Sequence, residues 1–306
     1  MFESNQKTIK NEINLEGIGL HNGQEVSLAI KPSKPNTGII FKRIDINDNN
    51  IISANFNNVV EPVLCTQLKN KNGVTVSTVE HLMAAFYGEG IDNAIVELNA
   101  SEIPIMDGSA VDFVDAIRSV GVEEQSEPRK FIKVLKKVEV KDGKKFISIE
   151  PLKQDLIIDF EIIFNNPLIR TRRKELKLSN ANLSEIYNSR TFCLYEDIDN
   201  IKRMGLAKGG SLDNAIVVQG NKILNEDGLR NRNEFVLHKI LDCLGDIMLS
   251  GNRIFGCIKT SQGGHALTNK LLKKFFSNKA NWSLENFENN EKQNENSYKN
   301  PVAIGA

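Results

Sequence analysis

In the run Asn233-Glu234-Phe235-Val236-Leu237-His238-Lys239-Ile240-Leu241-Asp242-Cys243-Leu244-Gly245-Asp246, apolar residues recur every three or four positions, a period that predicts a helix. A second helix opens within Ser77-Thr78-Val79-Glu80-His81-Leu82-Met83-Ala84-Ala85-Phe86, with Ser77 or Thr78 as N-cap and Leu82, Ala85 and Phe86 facing inward. Further helical patterns cover 111–120 and 266–276. Strand patterns cover 26–30, 39–42, 74–76 and 94–98, then resume at Phe131. The stretches 134–140 and 146–150 flank the turn Lys141-Asp142-Gly143-Lys144, and 156–164 and 254–258 are long apolar strands. Strands grouped before helices predict an α+β fold rather than a doubly wound parallel sheet.

The length of 306 residues suggests two domains. The polar stretch Glu123-Glu124-Gln125-Ser126-Glu127-Pro128-Arg129 reads as the linker, giving domains over 1–126 and 127–277. One short echo hints at duplication: Asp92-Asn93-Ala94-Ile95-Val96 recurs as Asp213-Asn214-Ala215-Ile216-Val217, although such copies need not be topologically equivalent. From 278 to 306 the chain turns polar without a sustained period and reads as a mobile tail, with Trp282 and Phe287 as its candidate docking points.

Charge and cysteine usage narrow the class. Basic and acidic residues balance at 39 each, so no global positive field exists for nucleic acid. The start Met-Phe-Glu-Ser-Asn-Gln-Lys has no basic region ahead of an apolar stretch, and no run is long enough to cross a bilayer. Cytoplasmic localisation is therefore expected. Cys65, Cys193, Cys243 and Cys257 form no CxxC pair and read as reduced, packed thiols.

Candidate chemistry starts from the four histidines, His21, His81, His238 and His265. On a helix rising about 1.5 Å per residue with about 3.6 residues per turn, His238 and Asp242 sit one turn apart on one face, and Asp246 continues that face. An imidazole nitrogen with a carboxylate oxygen suits zinc and could also hold iron or cobalt. The same spacing also describes a solvated helix face, and a third ligand must come from elsewhere. Glu80 and His81 lie in the first turn of their helix, where a carboxylate also serves as a simple cap. His265 follows Gly263-Gly264, a turn pair that lets backbone and ligand approach closely.

Taken together, these pieces resemble the zinc-dependent UDP-3-O-acyl-N-acetylglucosamine deacetylases of lipid A biosynthesis. The matching stretches are Gly17-Ile18-Gly19-Leu20-His21, Leu64-Cys65-Thr66, 77–85, Gly90-Ile91-Asp92-Asn93-Ala94, 103–110, Ser189-Arg190-Thr191-Phe192, 205–218, 234–246 and Gly263-Gly264-His265. They run in family order over residues 8 to 275. The resemblance implies two domains of like topology, with helices packed face to face between outer sheets and the active site between them.

It also implies a Zn2+ site on His81, His238 and Asp242 with one position open for water. Glu80 would be the general base, alone or sharing acid and base duties with His265; the Thr191 hydroxyl would stabilise the oxyanion, and His265, held by Asp246, would offset its charge and protonate the departing amine. Asp246 could instead cap its helix end. Lys239 would meet a diphosphate, Phe192 would pack on the sugar or nucleotide, and Cys65 would lie close to the substrate. Ile198, Gly210, Ala215 and Val217 would form an acyl passage within an insert over 193–217, although Val217 also reads as a packed strand residue. His21 ranks as peripheral to substrate binding or as a packed turn residue. Departures from the family pattern, Asn99, Ala100 and the turn Asn22-Gly23-Gln24, lie away from the proposed metal.

The implied reaction is hydrolysis of the N-acetyl group of a UDP-linked, 3-O-acylated N-acetylglucosamine by a monomer. The partner is that UDP-linked acylated amino sugar, with no nucleic acid and no integral membrane segment. The alternatives are a zinc amidase acting on a different acylated amino sugar and a noncatalytic nucleotide- or lipid-binding relative.

Overall fold

The computed structural model describes residues 4–60 and 63–286. Two sheets built on one plan carry the helices. In the first, the order is Ile13–Ile18, Glu25–Pro32, Ala94–Leu98, Ile39–Arg43, Ile51–Ser53, with Ile39–Arg43 parallel to Ala94–Leu98 and the other pairs antiparallel. In the second, Val138–Asp142, Lys145–Pro151, Arg253–Ser261, Leu156–Ile163 and Thr171–Lys177 repeat that order, and again the one parallel pair of the five joins the third and fourth strands. The fold is α+β, with six helices among the described residues.

The helices are α1 (Glu80–Glu89), α2 (Val111–Val120), α3 (Leu183–Tyr187), α4 (Ile198–Arg203), α5 (Glu234–Met248) and α6 (His265–Phe276). α1 and α5 pack against each other at the centre of the molecule. Eight successive residues of α1, Glu80 to Tyr87, are buried, which explains why its sequence is apolar around most of its circumference. α2 and α6 instead show one apolar stripe, as helices with a solvated face do. Among the described residues, no helix is long and apolar enough to cross a membrane.

Four expectations change, the first being that the strand read over 134–140 is interrupted between Lys130–Val134 and Val138–Asp142. The stretch read as a linker is a strand, Val122–Pro128, paired antiparallel with Asn5–Ile9; its partner is more than a hundred residues away, so no local signal marked it. The stretch read as a tail begins with a one-turn 3-10 helix and the strand Trp282–Asn286, which pairs with Lys130–Val134. Trp282 anchors it, edge-on to Phe276 at 5.1 Å and beneath the Lys279 ammonium. Residues 287–306 of that expected tail, Phe287 included, lie outside the described residues. The sequence echo falls on non-equivalent strands: Ala94–Leu98 is central in the first sheet, whereas Ile216–Gln219 belongs to a small sheet with Phe192–Leu194 and Lys222–Ile223. The duplication is real in topology, and the echo does not report it.

Candidate active site

Fourteen of the fifteen residues of α5 are buried, the exception being Lys239. His238 and Asp242 therefore face protein, not solvent, and the solvated-face reading of their spacing is excluded. His81 comes from the first turn of α1. The two helices approach so closely at Gly245 that a Cβ there would lie 2.0 Å from the Glu80 carbonyl oxygen. A glycine is thus required for the histidine of one helix to meet the ligands of the other.

Neither expected cap opens α1. Ser77 ends the strand Thr75–Ser77, and Thr78 sits at φ +56°, a conformation costly for a β-branched residue. Its hydroxyl donates to Glu102 Oε1 at 2.8 Å, and Glu102 also accepts from the backbone N–H groups of His21 and Asn22 at 2.8 Å each. This buried carboxylate holds the strained bend, and the helix starts directly at Glu80. Leu64 (φ +63°) and Gln262 (φ +53°) stand in the same region of backbone space just before Thr66 and His265.

His81 Nε2 and His238 Nε2 lie 3.5 and 3.4 Å from Asp242 Oδ1, and the three ligand atoms fall within 4.8 Å of one another. Corners of a tetrahedron about 2.0–2.1 Å from a central zinc are separated by about 3.3–3.4 Å, close to these spacings. His238 Nδ1 lies 3.0 Å from the Ser189 carbonyl oxygen, to which it donates in the tautomer that frees Nε2 for a metal. Asp242 Oδ1 is buried without a hydrogen-bond partner, an arrangement a cation would relieve. The set fits a divalent metal ion. Burial opposes charging of Asp242, but the adjacent His238 and Lys239 outweigh it and hold the carboxyl well below its usual range.

Beside this set lies a proton-handling network. His265 Nδ1 pairs with Asp246 Oδ2 at 2.8 Å, and its Nε2 is 3.7 Å from Glu80 Oε1. Thr66 ties the network together: its hydroxyl donates to Asp246 Oδ1 at 2.6 Å and lies 3.0 Å from His265 Nδ1, while its backbone N–H donates to Glu80 Oε2 at 3.0 Å. Burial and the start of α6 both disfavour a charged imidazole, yet Asp246, Glu80 and Asp242 prevail and raise the His265 pKa to about 10. Burial pushes the Glu80 carboxyl up, against the pull of His265 and His81. The site thus holds an imidazolium that can give a proton beside a carboxylate suited to take one.

A cavity of about 440 Å³ with largely apolar walls is lined by His21, Thr191, Phe192, Ile198, Gly210, Ala215, Val217 and Lys239. Such a channel accepts a long apolar group. Val217 lines this cavity and also sits in a strand, where it is buried. Phe192 packs edge-on to Phe235 at 4.9 Å and lies 6.4 Å from the His238 ring, which brings the cavity up to the metal ligands. His21 is buried with Nε2 unpartnered, and burial lowers its pKa. Lys239 donates to Asp242 Oδ2 at 2.8 Å, a contact its i,i+3 spacing favours. Cys65 is buried and does not line the cavity, although its neighbour Leu64 does; burial, reinforced by Glu80, pushes its thiol up to about 12.

Sequence reasoning gave no role to Thr66, Glu102 or Ser189. Thr66 and Ser189 lie in stretches that carried the resemblance, but a threonine hydroxyl and a backbone carbonyl have no sequence signal of their own. An acidic residue before the apolar Ile103 was the one available hint for Glu102.

A family model described as UDP-3-O-acyl N-acetylglycosamine deacetylase matches residues 6–277. Among curated proteins, the UDP-3-O-acyl-N-acetylglucosamine deacetylase of Haemophilus influenzae (strain PittGG) is 43% identical over 302 residues, covering 98% of each chain. The protein of the same name from Haemophilus ducreyi is 43% identical, over 92% of this chain and 94% of its own. That from Xanthomonas axonopodis pv. citri is 42% identical, over 97% and 98%.

Proposed function

The chain belongs to the UDP-3-O-acyl-N-acetylglucosamine deacetylase family, and from that membership we propose that it hydrolyses the N-acetyl group of UDP-3-O-(3-hydroxyacyl)-N-acetylglucosamine in lipid A biosynthesis. Water adds across the amide, giving acetate and the free amine. The observation that carries this reading is the convergence of His81, His238 and Asp242 with Glu80 and His265 beside an apolar cavity lined by Thr191, Phe192 and Lys239.

The metal is read as zinc, on the strength of two imidazoles and one carboxylate. When bound, zinc acidifies coordinated water and polarises a carbonyl. Glu80 takes the proton of the attacking water. As the carbonyl oxygen gains negative charge, the His265 imidazolium and the Thr191 hydroxyl offset it. His265, oriented by Asp246, then passes its Nε2 proton to the departing nitrogen, which would otherwise leave as an unstable amide anion. Lys239 stands where the cavity meets the site and binds the diphosphate, with Phe192 against the sugar or nucleotide and His21 nearby. Ile198, Gly210, Ala215 and Val217 receive the acyl chain, and Cys65 supports the site from outside the cavity.

Residues 1–126 and 127–277 are read as the two domains, one supplying Glu80 and His81 and the other the remaining ligands and His265. One chain provides every group, which supports a monomer. The four unpaired thiols suit the reducing cytoplasm.

The test is acetate release from the UDP-linked substrate, before and after chelation, with zinc restored and with Glu80→Gln in parallel. Metal-dependent release that falls by about 10²–10⁴ in the variant, at unchanged metal content, is the expected result. Folded, zinc-loaded protein that releases no acetate at any acyl length would overturn it, and release without the UDP group would favour a different acylated amino sugar.

A further inference from the structure

At the far end of the two central helices lies a second polar cavity, about 290 Å³, whose walls include Thr37, Asp92, Arg129, Lys130, Asn252 and Arg253. A water takes about 30 Å³ in the liquid, so the space holds more than one solvent molecule. It opens where α1 ends at Glu89 and where the chain leaves α5 at Met248. Helical rise puts it roughly 12 Å from the His81 end of α1.

The charges there do not balance. Three cationic residues line the cavity against one carboxylate. Asp92 is already committed: it accepts from Arg129 Nη2 at 2.6 Å, from Arg129 Nε at 3.0 Å and from the Lys7 backbone N–H at 2.8 Å. Arg129 also donates to the Gly90 carbonyl at 2.9 Å, serving the negative end of α1. Arg253 has no such duty. It is 2% exposed, and its Nε, Nη1 and Nη2 all lack a hydrogen-bond partner. Its nearest carboxylate oxygen, on Asp92, lies 3.8 Å away, and its guanidinium stacks over Tyr87 at 4.6 Å, a contact that orients it while leaving its N–H edge free. A buried guanidinium with unmet donors is costly, and stacking on one ring does not meet that cost.

We propose that this cavity binds a phosphoryl group, with Arg253 as its principal donor and Lys130 at the rim. A guanidinium carries five N–H donors in a rigid fork, and a tetrahedral oxyanion offers more acceptors to that fork than a carboxylate does. Thr37 and Asn93 of the first half line the same cavity as Lys130 and Arg253 of the second, so the bound anion sits between the two halves of the molecule. It stabilises the fold by mass action, by an amount that grows with the logarithm of its concentration above its dissociation constant.

The test is thermal unfolding of the full chain in inorganic phosphate, at ionic strength held constant with sodium chloride, with UDP as a second probe. Phosphate should raise the melting temperature, with the logarithm of its concentration above the dissociation constant, where chloride does not. The rise should survive Lys239→Ala, which removes the cation nearest the metal ligands, and vanish in Arg253→Gln. Should Arg253→Gln fold poorly, Lys130→Glu on the exposed rim should raise the phosphate concentration needed for a given rise at least about fivefold, since it sets a like charge against the ligand. A UDP effect lost with Arg253→Gln identifies nucleotide-borne phosphate as a ligand, whereas a response to inorganic phosphate alone identifies the free ion. No phosphate-specific rise, or a rise abolished by Lys239→Ala and untouched by Arg253→Gln or Lys130→Glu, overturns the proposal.

Discussion

Two groups 3.7 Å apart, Glu80 and His265, are both pushed toward holding protons, and they arrive there by opposite routes. Burial, reinforced by Asp242 and Asp246, raises Glu80, whereas His265 is raised against its burial by three carboxylates. The sign of the stability effect follows. His265 charges more readily folded, with a pKa of about 10, than unfolded, with 6.5. Its contribution is fully present below pH 6.5 and is lost as pH rises through 10. Metal-free protein should therefore melt at falling temperatures across that window, and His265→Gln should flatten the decline. Thr66→Val keeps the shape and removes the hydroxyl that joins Asp246 to His265. A hydrogen bond to a charged group contributes about 1.5–3 kcal/mol, so denaturant unfolding should report a loss of that order. Deacetylation should fall roughly tenfold to a hundredfold, as when an orienting partner of a site residue is removed, with metal content unchanged. The site histidines and carboxylates could be read from their spacing and from the resemblance, because each residue type carries its chemistry with it. The hydroxyl that connects them could not.

Among the elements, the crossing of α1 and α5 decides whether the site exists. Gly245→Ala would press a methyl group onto the Glu80 carbonyl, where the wall is backbone and cannot rotate away. Overpacking of this kind costs about 1–3 kcal/mol, and any relief separates His81 from His238 and Asp242. Denaturant melts should show that loss, and competition with a metal indicator should show weaker zinc binding. Both helices were legible from apolar period. The stretch 134–140 was read as one strand and is interrupted: Lys130–Val134 and Val138–Asp142 have different partners, and the N–H groups of Leu135 and Lys136 turn to the Asn281 carbonyl. Apolar alternation reports that a segment is extended and says nothing about which neighbour it pairs with.

For the whole molecule, the metal site ties its two halves together, so metal occupancy is also stability. A ligand at a hundred times its dissociation constant adds about 2.7 kcal/mol, and chelation should lower the calorimetric melting temperature accordingly. Zinc should restore it in the wild type and fail to do so in His238→Ala, which lacks one of the three ligands. By itself the sequence indicated the α+β class and the central helices, because helical period is a local property, and it offered the candidate metal and proton-handling residues through side-chain chemistry and the family resemblance. Tertiary structure alone decided that α5 is buried on every side but Lys239, that the supposed linker and the start of the supposed tail are strands, and that Thr66 and Glu102 hold the site together. It also left Arg253 buried without a partner. Pairing, burial and charge balance are set between residues distant along the chain, and they become determinate only when the chain has folded.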